Sequence, residues 1–451
     1  MNRNRESRPA PVPFIAPRAP KAKLSGETPS RWDWVQPCVW TDRMLAALEN
    51  GVKGGRWFSL IDKVYAGLPL YAASRKVLAN RGAAGVDHVT VEMFEARHQE
   101  NLEELRRTLR ESTYRPQAVR RVWIPKPGSK EKRPLGIPTV RDRVVQCALR
   151  HVLEPIFERD FAAQSYGFRP GRGCKDALQR VDDLLKAGYT YVVDADLKSY
   201  FDTIPHDRLM ALIRRKVADG RLLSLIEAFL KQAVLDGLRE WTPEMGSPQG
   251  AVVSPLLSNI YLDPLDHRMA EEGFQMVRYA DDFVVLCRSR EEAERALEVV
   301  RQWTAEAGLV LHPEKTRIAD AEEMHGGFDF LGYHFERGYR WPRVKSLHKM
   351  KDAVRVKTRR TNGKSLPAII ADVTLTLRGW FEYYKHSHYT TFERIDKWIR
   401  MRLRSILRKR RKRRGRGRGS DHQRWPNAFF AMHGLYTLKT AHALVSQSSS
   451  R

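Results

Sequence analysis

Two adjacent acids, Asp281 and Asp282, interrupt an apolar stretch of the chain. Met276 and Val277 precede the pair and the apolar run 283–286 follows it. Such residues favour extended structure, and two ionised carboxylates in a buried strand repel each other and lose hydration. A hairpin turn that directs both acids at a Mg²⁺ ion would supply the missing positive charge. Taken alone, however, an Asp-Asp pair is also typical of an ordinary solvated turn.

A second acidic strand lies upstream and favours a metal site over a solvated turn. Asp194 and Asp196 alternate with Val193 and Ala195, so a period of two places both acids on one face. If the two strands lie side by side, Asp196 meets the pair at 281–282. Three converging carboxylates can hold two metal ions about 4 Å apart for in-line phosphoryl transfer. This pattern predicts a polymerase palm.

Two further segments fit a nucleotide site beside those acids. The segment 246–250 reads Gly-Ser-Pro-Gln-Gly, in which glycines allow close approach of the backbone and Gln249 offers an amide. The segment 124–138 reads as a basic hairpin that would lay Lys126 and Arg133 on a triphosphate. On its own this hairpin is better explained as a solvated basic loop. The order of all these segments along the chain favours a nucleotide site over a solvated loop.

In this order, the motifs resemble those of bacterial group II intron reverse transcriptases, the maturase-type proteins encoded within self-splicing introns. The resemblance extends from about residue 68 to about residue 407. It rests on these blocks: IPKPGSKEKRPLGIPTVRDRVVQ, SYGFRPGRGC, VDADLKSYFDTIPH, GSPQGAVVSPLLSNIYLD, VRYADDFVVLC, GLVLHPEKT, FDFLGYHF and, further on, LRGWFEYY.

The resemblance implies roles for particular residues. The catalytic metal ligands would be Asp196 and Asp281, with Asp282 as the third acid, and they would hold two Mg²⁺ ions, for which Mn²⁺ can substitute. Phe201 matches the steric gate that clashes with a ribose 2′-hydroxyl. The implied nucleotide-binding residues are Lys126, Arg133, Phe201, Gln249, Gly250 and Lys315. The implied primer grip is Phe330, Leu331 and Gly332.

The expected fold is α+β, a right-hand polymerase with fingers and palm (antiparallel sheet plus helices) followed by an α-helical thumb/maturase domain. Residues 32–50 suggest a helix with Thr41 as N-cap and an end near Gly51, and residues 59–81 suggest another. The expected divisions are a disordered basic Pro-rich tail (1–30), a helical extension (31–67), fingers and palm (68–340), the helical domain (341–408) and an Arg-rich tail (409–451).

Positive charge is concentrated near the C-terminus. Residues 341–451 contain 28 basic and 6 acidic residues, whereas the whole chain has a net charge of +27. Apolar residues recur there at helical spacing in three stretches, which predicts a helical bundle with a cationic outside for nucleic acid. A merely solvated surface or a localisation signal is the alternative. The predicted nucleic-acid-binding residues are Arg394, Lys397, Arg400, Arg404, Arg408, Arg410, Arg411, Arg413 and Arg414.

The four cysteines are scattered, which indicates a reducing compartment and argues against disulfides and a zinc site. No apolar run is long enough to span a membrane, and no signal peptide is evident. We therefore expect a bacterial cytoplasmic protein that joins the nucleoid when it acts on DNA. No cysteine follows Cys287, so the zinc-dependent HNH endonuclease domain of many relatives is expected to be absent.

The implied activity is RNA-directed DNA synthesis, combined with binding of the parent intron RNA to assist splicing and with retrohoming by target-primed reverse transcription. The expected partners are group II intron RNA, an RNA template with a DNA primer, target DNA and dNTPs. Two alternatives stay open. One is a domesticated reverse transcriptase in a defence or CRISPR system, and the other is an RNA-binding splicing cofactor with a dormant polymerase.

Overall fold

The computed structural model describes residues 31–125, 132–417 and 419–449. The helices are α1 (Asp42–Asn50), α2 (Ile61–Tyr65), α3 (Gly67–Ala79), α4 (Val91–Ala96), α5 (His98–Arg110), α6 (Val140–Glu158), α7 (Cys174–Lys186), α8 (Tyr200–Thr203), α9 (His206–Arg214), α10 (Gly220–Leu230), α11 (Ser254–Glu271), α12 (Arg290–Glu306), α13 (Val344–Lys357), α14 (Leu366–Tyr384), α15 (Thr390–Arg410), α16 (Ser420–Arg424), α17 (Asn427–Met432) and α18 (Leu438–Ser449). The strands are β1 (Val119–Pro125), β2 (Lys132–Ile137), β3 (Tyr191–Asp196), β4 (Val234–Asp236), β5 (Arg239–Trp241), β6 (Gln275–Tyr279), β7 (Asp282–Cys287), β8 (Arg317–Asp320), β9 (Phe328–Phe330), β10 (Tyr333–Glu336) and β11 (Tyr339–Pro342). This mixture of helices and largely antiparallel sheets confirms the α+β class.

The central sheet has the order β6-β7-β3-β8, and every neighbouring pair is antiparallel. Its strands bury both faces, as alternating side chains do. On one face, Val193 and Ala195 join the main core, against which α11 and α12 pack. On the other face, Val192 joins a smaller core with α7 and the sheet β9-β10-β11. The two acidic strands lie side by side, as predicted.

A second sheet has the order β2-β1-β4-β5, in which β1 and β2 form an antiparallel hairpin and β1 runs parallel to β4. The strands of the predicted basic hairpin are thus confirmed. Its tip, which includes Lys126, lies outside the described residues. The loop that carries Gln249 reaches this sheet, because the Gly136 amide donates a hydrogen bond of 2.6 Å to the Gln249 carbonyl.

At the start of the described chain, one helix prediction is confirmed and another is wrong. The hydroxyl of Thr41 accepts a hydrogen bond from the Met44 amide and caps α1, which ends at Asn50. The single helix expected over residues 59–81 is two helices, because Ala66 is extended between α2 and α3. In a continuous helix, the ring of Pro69 would clash with the Tyr65 carbonyl four residues earlier.

Beyond the small sheet, α13, α14 and α15 form the predicted helical bundle. Its core includes Val354, Ile370 and Ile399, and the chain after α15 packs on the same core through Phe430 and Leu438. Among the described residues, none of the helices combines the length and apolar character needed to cross a lipid bilayer.

Candidate active site

The acids predicted from the sequence meet at one end of the central sheet. β3 and β7 pair so that Asp196 lies directly opposite Asp282, and side chains of such partners share a face. Asp281 sits in the tight turn between β6 and β7, where Ala280 adopts a left-handed backbone with φ of 61°. Asp194 lies two residues before Asp196 on the same face, and it is a fourth acid that we had not assigned to the site.

Burial of this cluster outweighs the positive charge near it, although Arg317 Nε lies 3.7 Å from Asp194 Oδ2. Burial, followed by repulsion from Asp194, Asp281 and Asp196, raises the pKa of Asp282 to about 7. Burial also raises the pKa of Asp194 to about 6 and shifts the pKa of Asp281 upward. Carboxylates in this situation are stabilised by a cation, and their hard oxygen donors suit Mg²⁺ or Mn²⁺.

One of the predicted metal ligands is instead paired with a lysine. The Lys315 ammonium lies 2.6 Å from Asp196 Oδ2 and forms an ion pair with it. Within the part of the chain that the structure describes, no three acidic, histidine or cysteine side chains already form a group that could hold a metal ion. The residues therefore fit a divalent cation by their chemistry and charge, and Lys315 is the basic group that touches Asp196.

A buried arginine holds the turn that carries Asp281. Arg278 is fully buried and pairs with the equally buried Asp266, with Nη2 to Oδ2 at 2.5 Å and Nε to Oδ1 at 2.8 Å. Its Nη1 donates to the Ala280 carbonyl at 2.8 Å and to Asn259 Oδ1 at 3.0 Å. Sequence reasoning missed this residue, although an arginine inside an apolar strand was a signal that could have found it.

Next to the same turn, a glycine allows close packing. A Cβ at Gly167 would stand 2.2 Å from the Ala280 nitrogen, which is closer than atoms can approach. The Gly167 carbonyl accepts a hydrogen bond of 2.8 Å from Asn259, the same side chain that Arg278 contacts. The left-handed turn is thus enclosed between a glycine and a hydrogen-bonded network.

The expected nucleotide contacts fall on two neighbouring segments. The Phe201 carbonyl accepts from the Ser247 amide at 2.7 Å, which holds the short helix α8 against the loop with Gln249. Phe201 and Gln249 line one cavity of about 440 Å³. Gly250 has a φ of 107°, and a Cβ there would stand 2.3 Å from the Gly136 carbonyl. Arg133 is exposed on β2, and Lys126 lies outside the described residues.

The residues of the expected primer grip form the turn between β9 and β10. Phe330 is buried in the smaller core, so its ring is not available to a primer. The turn at Leu331 and Gly332 is held by α14, since the Tyr383 hydroxyl donates to the Leu331 carbonyl at 2.7 Å. Arg343 donates its amide to the Gly332 carbonyl at 2.8 Å.

Most residues of the predicted cationic surface on and after α15 are exposed or half-buried, and one was misplaced. Arg394 and Lys397 are exposed, Arg400 is half-buried, and Arg410, Arg411, Arg413 and Arg414 are exposed at and beyond the helix end. Arg404 was placed on this face wrongly, because it is only 3% exposed and donates to the Trp425 carbonyl and to Asn427 Oδ1, both at 2.9 Å. Arg408 is half-buried and pairs with Asp421 at 2.6 Å.

Comparison with known proteins agrees with this geometry. Residues 124–335 match the family model described as "Reverse transcriptase (RNA-dependent DNA polymerase)", and residues 347–425 match "Group II intron, maturase-specific domain". The first match spans the strands and turns that carry all three predicted metal ligands, and the second spans most of the helical bundle.

Individual relatives give the same result. Protein YkfC of Escherichia coli is 37% identical over 310 residues, which are 59% of this chain and 80% of YkfC. Group II intron-encoded protein LtrA of Lactococcus lactis subsp. cremoris is 40% identical over 198 residues, 44% of this chain but only 32% of LtrA. The "Uncharacterized 91 kDa protein in cob intron" of Schizosaccharomyces pombe is 46% identical over 147 residues, 33% of this chain and 18% of that protein.

The matched reverse transcriptase domain is that of an RNA-directed DNA polymerase. It is followed in the same chain by the maturase-specific domain. The chain belongs to the family of group II intron-encoded reverse transcriptases and maturases.

Proposed function

We propose that this protein is the RNA-directed DNA polymerase of a group II intron, and that it also binds the intron RNA to assist splicing and supports retrohoming by target-primed reverse transcription. Its partners would be the intron RNA, an RNA template with a DNA primer, target DNA and dNTPs. The observation that carries the proposal is the register of β3 and β7, which sets Asp196 opposite Asp282 beside the turn with Asp281.

In this proposal Asp196, Asp281 and Asp282 hold two Mg²⁺ ions. Ions held there would supply activation of the primer 3′-hydroxyl and neutralisation of charge on the triphosphate and the leaving pyrophosphate. The raised pKa values of Asp281 and Asp282 support a site built for cations. Lys315 lies within reach of the same end of β3 and would interact with the phosphates.

Residues beside the metal ligands would select and place the nucleotide. Phe201 would exclude a ribose 2′-hydroxyl, and the Gln249 amide would contact the incoming nucleotide. Arg133 and Lys126 would bind the triphosphate from the basic hairpin. The turn at Leu331 and Gly332 would position the primer through its backbone, because its carbonyls are held by α13 and α14.

Binding of intron RNA would use the helical C-terminal region. Its exposed cations have few acidic partners nearby, and neutralising phosphates with release of counterions is a strong source of affinity. We propose the divisions 31–67, 68–340, 341–408 and 409–451 as the N-terminal extension, the polymerase body, the thumb/maturase domain and the basic tail.

Extension of a DNA primer on an RNA template tests the polymerase. Wild type, Asp281→Asn and the matched control Asp207→Asn, an exposed acid on α9, are compared with dNTPs and Mg²⁺. We expect wild type and the control to extend the primer and Asp281→Asn to lose at least about 100-fold in rate, since a metal ligand is removed. If wild type also fails to extend while binding structured RNA, the chain is a splicing cofactor with a dormant polymerase.

Splicing of the parent intron RNA tests the second activity separately. Because the polymerase acids are not needed to bind the RNA, Asp281→Asn should promote splicing of a precursor at low Mg²⁺ as well as wild type does. Extension by wild type without any effect on splicing would retain the polymerase and reject the role in splicing.

A further inference from the structure

A short basic segment, residues 409–417, follows directly on α15 and turns back on it. It consists of seven lysines and arginines and two glycines. The Arg413 amide donates to the Arg408 carbonyl at 3.1 Å, and the Lys412 amide donates to the Lys409 carbonyl at 2.8 Å. Lys412 has a left-handed backbone with φ of 58°, which is a common way for a helix to end and the chain to reverse. We call residues 409–417 the arginine loop.

An arginine of α15 joins the two sides of the arginine loop. Arg408 Nε donates to the Arg414 carbonyl at 2.8 Å, and Arg408 Nη1 lies 2.6 Å from Asp421 Oδ2. Asp421 is only 1% exposed, and a carboxylate that is buried to this extent needs a cationic partner. One guanidinium therefore binds the chain both within the loop and after it. We call the Arg408–Asp421 ion pair the clasp.

A second arginine of the same helix packs beneath the loop. Arg404, one turn before Arg408, donates to the Trp425 carbonyl at 2.9 Å. A Cβ at Gly417 would stand 2.8 Å from the Arg404 Cβ, so a side chain at Gly417 would push the loop away from the helix. The Arg411 guanidinium carbon lies 5.5 Å from the centroid of the Trp425 ring. The loop is thus held by α15 and by the segment that docks after it.

The other arginines of the loop are exposed to solvent, namely Arg410, Arg411, Arg413, Arg414 and Arg416. Among the residues that the structure describes, none of them forms an ion pair with an acidic side chain. Guanidinium groups match the geometry of phosphate oxygens, to which they can donate paired hydrogen bonds. The loop has no aromatic, amide or hydroxyl side chain, so positive charge is what it offers to a partner. Its chemistry fits a group of closely spaced phosphates.

The position of the arginine loop favours RNA as the source of these phosphates. The loop lies inside residues 347–425, which match the maturase-specific domain. Beyond the loop, Phe430 and Leu438 pack on the core of the helical bundle, so the loop is attached to that bundle on both sides. The proposed function assigns the intron RNA to this region, and the inference rests on it in that respect.

We propose that the arginine loop is a preformed phosphate-binding site for the intron RNA, and that Asp421 is a positioning residue that maintains the loop through the clasp. Arginine-rich segments that lack such contacts often become ordered only when they bind RNA, and this ordering reduces affinity. A loop that is held in shape beforehand avoids that cost. Arg404 and Arg408 therefore shape the loop, and its exposed arginines bind the RNA.

Titration of labelled parent intron RNA at several salt concentrations tests the proposal. The proteins are the full chain as wild type, Asp421→Asn and the control Asp352→Asn. Asp352 is an exposed acid on α13 that pairs with Arg355, so both variants lose one ion pair and gain one positive charge in the same domain. Charge alone therefore predicts equal or tighter binding by both variants. A DNA duplex of unrelated sequence is titrated in parallel.

We expect Asp421→Asn to bind the RNA about tenfold more weakly than wild type at every salt concentration, because the loop must now be ordered on binding. The slope of log K against log salt should not change, since the exposed arginines still neutralise the same phosphates. Asp352→Asn should stay within about twofold of wild type in affinity.

Other outcomes would overturn the inference. Binding by Asp421→Asn that equals or exceeds that of wild type would leave the proposed function intact and remove the clasp from it. A reduced slope in Asp421→Asn would mean that phosphate contacts are lost, as unfolding of the domain would cause. Weaker binding of the DNA duplex without weaker binding of the RNA would assign the loop to DNA. Failure of wild type to bind the RNA would overturn the proposed role in splicing as well.

A second measurement needs no variant that could misfold. Arginines of wild type are modified with phenylglyoxal, with and without the intron RNA, and the modified positions are identified by mass spectrometry. We expect Arg413 and Arg414 to react in the free protein and to be protected by RNA, whereas Arg404 and Arg408 should stay unmodified in both. Equal reactivity of Arg408 and Arg413 in the free protein, or no protection by RNA, contradicts the proposal. Primer extension by wild type reports on the polymerase alone.

Discussion

At the scale of single residues, Phe201 is the residue that we propose to select the sugar of the incoming nucleotide. The residue lies at the start of the short helix α8, after Ser199, whose left-handed backbone (φ of 51°) turns the chain away from β3. The adjacent Tyr200 is buried and donates its hydroxyl to the Ser258 carbonyl at 2.8 Å. The Phe201 ring contacts that of Tyr200, with centroids 5.4 Å apart, so the backbone and ring are both held in place.

Replacing Phe201 with alanine should therefore relax discrimination against ribonucleotides. Removing a ring that blocks a hydroxyl eliminates a steric barrier, and the ratio of kcat/KM for a dNTP over the matching rNTP should fall about 10- to 100-fold. Single-nucleotide incorporation measures that ratio. The control is Phe58→Ala, an exposed phenylalanine far along the chain, and an unchanged ratio in Phe201→Ala would remove Phe201 from this role.

The site residues differ in how far the sequence could reveal them. Strand period places Asp196 on one face of β3, and the pair Asp281–Asp282 is conspicuous because acids in an apolar stretch are costly unless a cation compensates them. The register of β3 and β7 agrees with their meeting. Arg404 does not follow from helical spacing. Spacing shows which face of α15 a residue occupies, whereas the segment that covers that face is 21 residues further along, at Trp425.

At the scale of elements, the β6-β7 hairpin depends on Arg278. The residue bonds to Asp266 on α11, to Ser165 and to Asn259, and through these contacts it ties the Ala280 carbonyl to the core beneath. Removing one partner of a buried ion pair leaves the other charge uncompensated, at a cost of about 3–5 kcal/mol. Arg278 therefore holds the turn that carries Asp281, and we expect it to position that carboxylate.

Replacement of Arg278 separates stability from positioning. Arg278→Met should lower the melting temperature and raise the Mg²⁺ concentration for half-maximal primer extension. The double variant Arg278→Met with Asp266→Leu removes both charges, so it should recover much of the melting temperature. The high Mg²⁺ requirement should persist, because the contact to Ala280 is still missing. Recovery of both properties together would show that the pair is purely structural.

The turn at Leu331 and Gly332 is a second element that residues outside its own sheet hold in place. Gly332 has a φ of 83°, and a Cβ there would stand 2.8 Å from the Tyr384 hydroxyl oxygen. The backbone conformation favours glycine, and a Cβ would also crowd the end of the Tyr384 side chain on α14. Through these contacts the turn packs against the helical bundle, and the primer grip is proposed to lie there.

Gly332→Ala should loosen this junction. We expect the local opening free energy of residues 328–346 to fall by about 1–3 kcal/mol, from backbone strain and the clash. Hydrogen exchange on the full chain measures it. Adding Tyr384→Phe removes the clashing oxygen but not the strain, so protection should return only in part. Full protection in Gly332→Ala alone would contradict the close packing of this turn.

At the scale of the whole molecule, the sequence predicts the order of the elements along the chain better than the contacts between distant elements. The acidic strands, the basic hairpin strands and the three C-terminal helices appear where their periodicity predicts. The parallel pairing of β1 with β4 and the docking of α17 and α18 arise from contacts between residues far apart in the chain. Local patterns carry no information about those contacts.

The uneven charge of the molecule leads to a prediction about salt. Arg410, Arg411, Arg413 and Arg414 are exposed, and replacing all four with glutamine should reduce the slope of log K against log salt for RNA binding by about 3, since each phosphate contact contributes about 0.7–0.9. Arg404→Gln should leave the slope unchanged and lower the melting temperature instead, because it is buried and hydrogen-bonded to the docked C-terminal segment. Titrations at several salt concentrations measure the slopes, with Arg115→Gln as a control in the polymerase body.

An unchanged slope in the fourfold variant would mean that the RNA contacts lie elsewhere on the chain.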